Sequence, residues 1–170
     1  MKQIVTLILF IVSVCSCTLK AVDALPEYTI KAAYLYNFAL LTDWPEGKKT
    51  ENFNLCLYGK DAFGTAIDAL TGKTIGEQTI KTVFISSAQE AKKCHIVFIG
   101  ENDHQKEQKM IEEIAGLPVL IVTDNANVKG YHIVIFQDNE RLSFTINTKA
   151  LKEANLNLSS RLLNLAKKVK

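Results

Sequence analysis

The residues of this chain that could do chemistry are scattered, and their spacing commits none of them to a reaction. Gly59-Lys60-Asp61-Ala62-Phe63-Gly64 follows a strand pattern and opens a helical one, a place where anions dock on free backbone N–H groups. No Lys-Ser or Lys-Thr follows the second glycine, and Phe63 takes the slot of a close-approach residue. The segment therefore reads as a plain strand-to-helix turn and not a P-loop. His95 opens a strand, His104 falls on a polar helix face and His132 starts a hairpin strand. They lack metal-ligand spacing and read as structural or exposed. Asp124-Asn125-Ala126-Asn127 follows a buried strand, where open α/β sheets bind ligands, although Asp and Asn are also ordinary loop residues. Ser159-Ser160 has no base nearby and reads as helix capping. No nucleophile–base pair emerges, and no metal or cofactor is expected. The residues favour a binding module over an enzyme.

The cysteines depend on how the N-terminus is read. Lys2 precedes an apolar run from Ile4 to Val14, the pattern of a secretory leader and too short for a comfortable membrane span. Val22-Asp23-Ala24 supplies small residues for cleavage before Leu25, which makes residues 1–24 a signal peptide and 25–170 the working domain. The alternative is a lipid anchor on Cys17, since Val14-Cys15-Ser16-Cys17 loosely resembles a lipoprotein signal. Either way the body is exported. Cleavage before Leu25 leaves Cys56 and Cys94, an isolated pair that reads as a disulfide in an exported chain, or otherwise as two reduced buried thiols. No Cys-x-x-Cys is present to poise a thiolate.

The formal charge of the chain is +2, and its lysines and arginines are dispersed without interleaved aromatics. That argues against a nucleic-acid partner. The cluster Lys167, Lys168 and Lys170 reads as a solvated helix end.

The elements that must position any site follow from periodicity. Tyr28 to Pro45 predicts a helix ending near Asp43, with Ile30, Tyr34 and Leu41 on one side, Tyr36 and Leu40 roughly opposite, and Tyr28 and Leu35 in a third sector. A helix this apolar must be covered on more than one side, by its own sheet and by another part of the domain or a partner chain. Strands are expected at Phe53–Tyr58, Thr79–Ile85, His95–Ile99, Val119–Val122, Tyr131–Phe136 and Arg141–Ile146. Gln137 to Glu140 has hairpin-turn composition. Helices are expected at about 62–70, 88–92, 103–115, 148–154 and 159–169. In the last, Leu158, Leu162, Leu165 and Val169 recur at helical spacing. The fold class is α/β: a single domain, a mostly parallel mixed sheet of about six strands with helices on both faces, and a C-terminal β-hairpin and helices.

Several stretches together resemble the YfiR family of bacterial exported regulators. They are Lys31-Ala32-Ala33-Tyr34-Leu35-Tyr36-Asn37-Phe38, Asp43-Trp44-Pro45, Leu55-Cys56-Leu57-Tyr58-Gly59 with Phe63-Gly64, and Cys94-His95-Ile96-Val97-Phe98-Ile99. Leu117-Pro118-Val119-Leu120, Phe144-Thr145-Ile146-Asn147, Ala154-Asn155-Leu156 and Leu158 through Ala166 complete the match. The resemblance implies a periplasmic protein that binds the periplasmic sensor region of a membrane-bound diguanylate cyclase and represses it, limiting cyclic-di-GMP and biofilm formation. Such a protein is peripheral to the membrane through its partner, responds to envelope redox state and can form a homodimer. Cys56 and Cys94 match one family disulfide. A second family pair further along is missing here, so a switch built on that pair is not expected. The family's partner surface, carried onto this chain, points to Asn147, Leu151, Lys152, Glu153 and Leu156, with core packing the rival reading for Leu151 and Leu156. A small-ligand sensor remains the alternative, its rim formed by the loops after Tyr58, Ile99 and Val122.

Overall fold

The computed structural model describes residues 27–60, 62–100 and 103–170. The leader, both of its cysteines and Asp61 lie outside the described residues. The chain opens with α1 (Glu27–Leu40), whose last turn is closed by the Thr42 hydroxyl donating to the Phe38 carbonyl at 2.6 Å. That cap ends the helix before Asp43. Thr42–Asp43 instead forms β1, a short ribbon with β9 (Asn157–Leu158).

The main sheet has eight strands. Six are long: β2 (Asn52–Gly59), β4 (Gln78–Ile85), β5 (Ile96–Gly100), β6 (Leu120–Thr123), β7 (Ile133–Asp138) and β8 (Arg141–Ile146). Two-residue strands, β3 (Thr74–Ile75) and β10 (Lys168–Val169), close its edges. The order is β10-β8-β7-β6-β5-β2-β4-β3. β4, β2, β5, β6 and β7 run parallel, β8 returns antiparallel to β7, and β3 returns antiparallel to β4. Asn139 at the β7–β8 turn adopts φ 54°, which asparagine tolerates better than most residues.

Strand alternation sends side chains to two cores. Leu55, Leu57, Ile96, Phe98, Leu120 and Val122 face α1. Cys56, Val97, Ile99 and Ile121 face α3 (Ala88–Ala91) and α4 (His104–Ile114). Strands buried on both faces need near-continuous apolar runs, which 96–99 and 119–122 supply. Met110, Ile111 and Ile114 of α4 are buried as its periodicity requires. α4 ends where Gly116 takes φ 74°, a left-handed stop that glycine adopts freely. Cys56 and Cys94 are bonded, with Cα atoms 5.9 Å apart.

The sequence expectation changes in two places. The helix expected over 62–70 is one turn, α2 (Thr65–Asp68). Phe63 packs on Phe98 and Tyr28, with ring centroids at 4.9 and 5.0 Å, and Gly64 at φ 50° holds the chain out of the helix until Thr65. The last helix, α6 (Ser160–Leu165), stops short as well. Phe144 on the open edge of β8 offers its carbonyl to the Lys167 N–H at 3.0 Å, and Lys168–Val169 then pairs with Thr145–Ile146. Lys167 consequently pairs with Asp138 and does not end a helix.

Candidate functional site

The chain runs from β2 outward to β4 and then returns to β5 on the other side of β2. Such a reversal opens a crevice at the carboxyl ends of the strands. A polar hollow of about 390 Å³ lies there. Lys60 lines it from the loop after β2, Gly100 from the end of β5, His104 from the start of α4, and Asp124 and Asn125 from the loop after β6. The three loops expected to form a rim are therefore brought together.

Two charged groups beneath this hollow were not legible in the sequence. Lys31 on α1 is 3% exposed, and its ammonium donates to Asp124 at 2.6 Å and pairs with Glu27 at 2.6 Å. Burial works against its charge, but the hydrogen bonds to Asp124 and Glu27 outweigh that and hold it above the ordinary lysine value. Glu107 on α4 is 1% exposed and accepts from the Asn125 amide. Asn125 is further fixed by its N–H to the Thr123 hydroxyl at 3.1 Å. The arrangement ties α1, α4 and the β6 loop together through the Lys31–Asp124 ion pair and the Asn125–Glu107 hydrogen bond. It can hold a small polar molecule through carboxylate, amide and ammonium groups, and it presents no nucleophile paired with a base.

The histidines divide as their positions suggested. His95 and His132 occupy matching places, each just before a strand, and each Nδ1 accepts a backbone N–H from the neighbouring strand: Asn54 at 3.0 Å and Ile121 at 3.0 Å. Nε2 is therefore the protonated nitrogen of the neutral rings, and in His95 it donates to the Lys48 carbonyl at 2.7 Å. Burial pushes both below the usual imidazole value, His132 to about 4. His104 is exposed at the mouth of the hollow. Among the described residues, no group of three or more His, Cys, Asp or Glu side chains is placed to hold a metal.

The five residues carried over as a partner surface fall on and around α5 (Thr148–Glu153) in different environments. Leu151 and Leu156 are buried at 3% and 1% exposure and pack in the α1-side core. Lys152 and Glu153 are exposed. Asn147 is the N-cap, its side chain accepting from the Ala150 N–H at 3.2 Å. Asn147→Ala is expected to lower stability by about 1 kcal/mol, and Asn147→Ser to recover most of that loss. Equilibrium urea unfolding measures both, and equal losses in the two variants would count against the cap.

The model of a family described as YfiR/HmsC-like matches residues 28–167. No curated protein matches the chain. Among solved structures, the chain is similar to the ABC domain in complex with L-Trp from Streptococcus pneumonia, at 10% identity and a TM-score of 0.49. That match covers 69% of this chain and 55% of the other. This chain therefore spans little more than half the length of that protein.

Proposed function

Because the chain belongs to the YfiR/HmsC-like family, we propose that it acts in the bacterial periplasm as a repressor of a membrane-bound diguanylate cyclase. It binds the periplasmic sensor region of the cyclase and so limits cyclic-di-GMP and biofilm formation. The family match across residues 28–167 carries this reading. It is in keeping with a domain whose buried histidines serve the sheet. Of the carried-over surface, Lys152 and Glu153 are the side chains free to meet the partner, with Asn147, Leu151 and Leu156 setting the shape of α5 beneath them. The protein is peripheral to the membrane through that partner, and self-association is a further property to measure. Among the described residues, no helix is long and apolar enough to cross a membrane.

The experiment is deletion of the gene with measurement of cyclic-di-GMP, alongside co-purification of the tagged protein from solubilised inner membrane. The expected result is a rise in cyclic-di-GMP, reversed by the wild-type gene, and recovery of a diguanylate cyclase. Unchanged cyclic-di-GMP with no cyclase recovered would overturn the proposal.

The hollow at the carboxyl ends of β2, β5 and β6 supports a second reading, a sensor for a small polar ligand that tunes repression. A ligand that binds only the folded state raises the melting temperature with the logarithm of its concentration. A thermal-shift screen of envelope metabolites is expected to give such a shift, weakened in Asp124→Asn.

A further inference from the structure

The C-terminal half of α1 is not sealed. Between it and α6 lies an apolar hollow of about 190 Å³. Phe38 and Phe144 lie buried in it, at 0% and 4% exposure. Leu40 and Leu165 stand on its rim, at 46% and 63% exposure. The one charged residue on the lining is Arg161.

The chain has two arginines, Arg141 and Arg161, against eighteen lysines. Among the described residues, neither guanidinium is held by a carboxylate. An unpaired guanidinium beside buried aromatic rings is suited to a carboxylate brought by a partner, because its fork of donors matches that group in two parallel hydrogen bonds. The same face of a second copy does not meet the requirement. The lining contains no Asp or Glu, so a two-fold pairing of this face would set Arg161 against Arg161. A bilayer surface fits poorly too, since the rings lie at the bottom of a concavity that is filled by inserted side chains.

We propose that this hollow docks an acidic amphipathic segment of a protein partner. An apolar side chain of the segment inserts between Leu40 and Leu165, and an Asp or Glu one helical turn away pairs with Arg161. Residues three or four apart on a helix share a face, which gives the spacing. This inference rests on the repressor reading and names the chemistry its partner must supply.

The test places a photo-crosslinking amino acid at position 165 of the full chain, expressed in its own cell envelope, with the captured peptide sequenced. A second probe at position 153 reports any other docking face. The expected product is a protein segment carrying an Asp or Glu within one turn of the crosslinked residue. Arg161→Glu is expected to lower the yield at position 165 about tenfold or more, since losing a charge-assisted hydrogen bond is worth at least that factor. Melting temperature should be unchanged, because Arg161 is exposed. Capture of lipid, of a second copy or of a segment without acidic residues overturns the inference, as does a yield insensitive to Arg161→Glu. Capture at 153 with none at 165 sinks this docking site and leaves the repressor reading standing. Capture at neither position also sinks this docking site, and the repressor reading is then decided by the cyclic-di-GMP measurement alone.

Discussion

Alanine at both Cys56 and Cys94 is expected to lower the free energy of unfolding by about 4 kcal/mol, a shift of about 2 M in the urea midpoint at an m-value of about 2 kcal/mol/M. The two cysteines are 38 residues apart, and the bond keeps that loop closed in the unfolded chain, where it would otherwise explore many more conformations. In the fold the bond joins β2 to the residue pair preceding β5. Those strands already pair, with Cys56 opposite Val97, so the link is made without rearranging the sheet. Alanine is chosen over serine to avoid burying two hydroxyls among Ile85, Ala91 and Val97. Wild-type protein unfolded in reductant should match the double variant. Both sulfurs lie in a core formed with α3 and α4, with each cysteine 1% exposed. Reductant therefore reaches them only when that layer opens. An unchanged midpoint in reductant would show that the bond contributes nothing to stability.

Acidification from pH 6.5 to 4 is expected to remove about 3 kcal/mol through His132 alone. Burial among apolar groups holds its imidazole neutral in the fold, down to about 4, whereas the unfolded residue titrates near the ordinary imidazole value of 6.5. Near neutral pH both states are unprotonated and nothing is lost. Below 6.5 the unfolded chain takes up a proton that the fold refuses, so stability falls until the folded residue also titrates. Protonation would besides remove the lone pair that accepts the Ile121 N–H. His95 is displaced in the same direction, by burial and by the neighbouring Lys48 charge, and adds to the loss. Urea midpoints between pH 7 and 4.5 measure this. His132→Gln is expected to flatten the profile while starting from a lower stability at pH 7. A profile as steep in that variant as in wild type would assign the acid sensitivity elsewhere.

Much of the polar hollow was legible because its position follows from chain order. Strands that alternate with helices leave their carboxyl-end loops together, and Lys60, Gly100 and Asp124 arrive there for that reason. Its charge network was not legible. Lys31 and Asp124 are 93 residues apart, and on the helical wheel Lys31 reads as a polar surface residue. Glu27 is one turn away on the same helix, but only the seating of α1 over the strand ends buries Lys31 and brings Asp124 to it. The apolar hollow beside α6 was hidden for a related reason. Leu162, Leu165 and Val169 recur at helical spacing, yet Leu162 is buried while Leu165 and Val169 are exposed.

Local pattern was enough for the α/β class, the six long strands and the doubly buried centre of the sheet, and it left Cys56 and Cys94 as a disulfide or two buried thiols, which the structure resolves as a bond. Each depends on local periodicity, on composition or on counting, and neighbours in the chain carry all of that information. Tertiary structure alone decided where the sheet ends and which apolar residues stay outside. The open edge of β8 turned Lys168–Val169 from helix into strand, Phe63 packed on Phe98 where a helix was expected, and the seating of α1 and α6 left Leu40 and Leu165 around Arg161. A hydrogen bond or contact made between distant parts of the chain outweighs a local preference worth a fraction of a kcal/mol per residue, and no helix-sized window contains both of its partners.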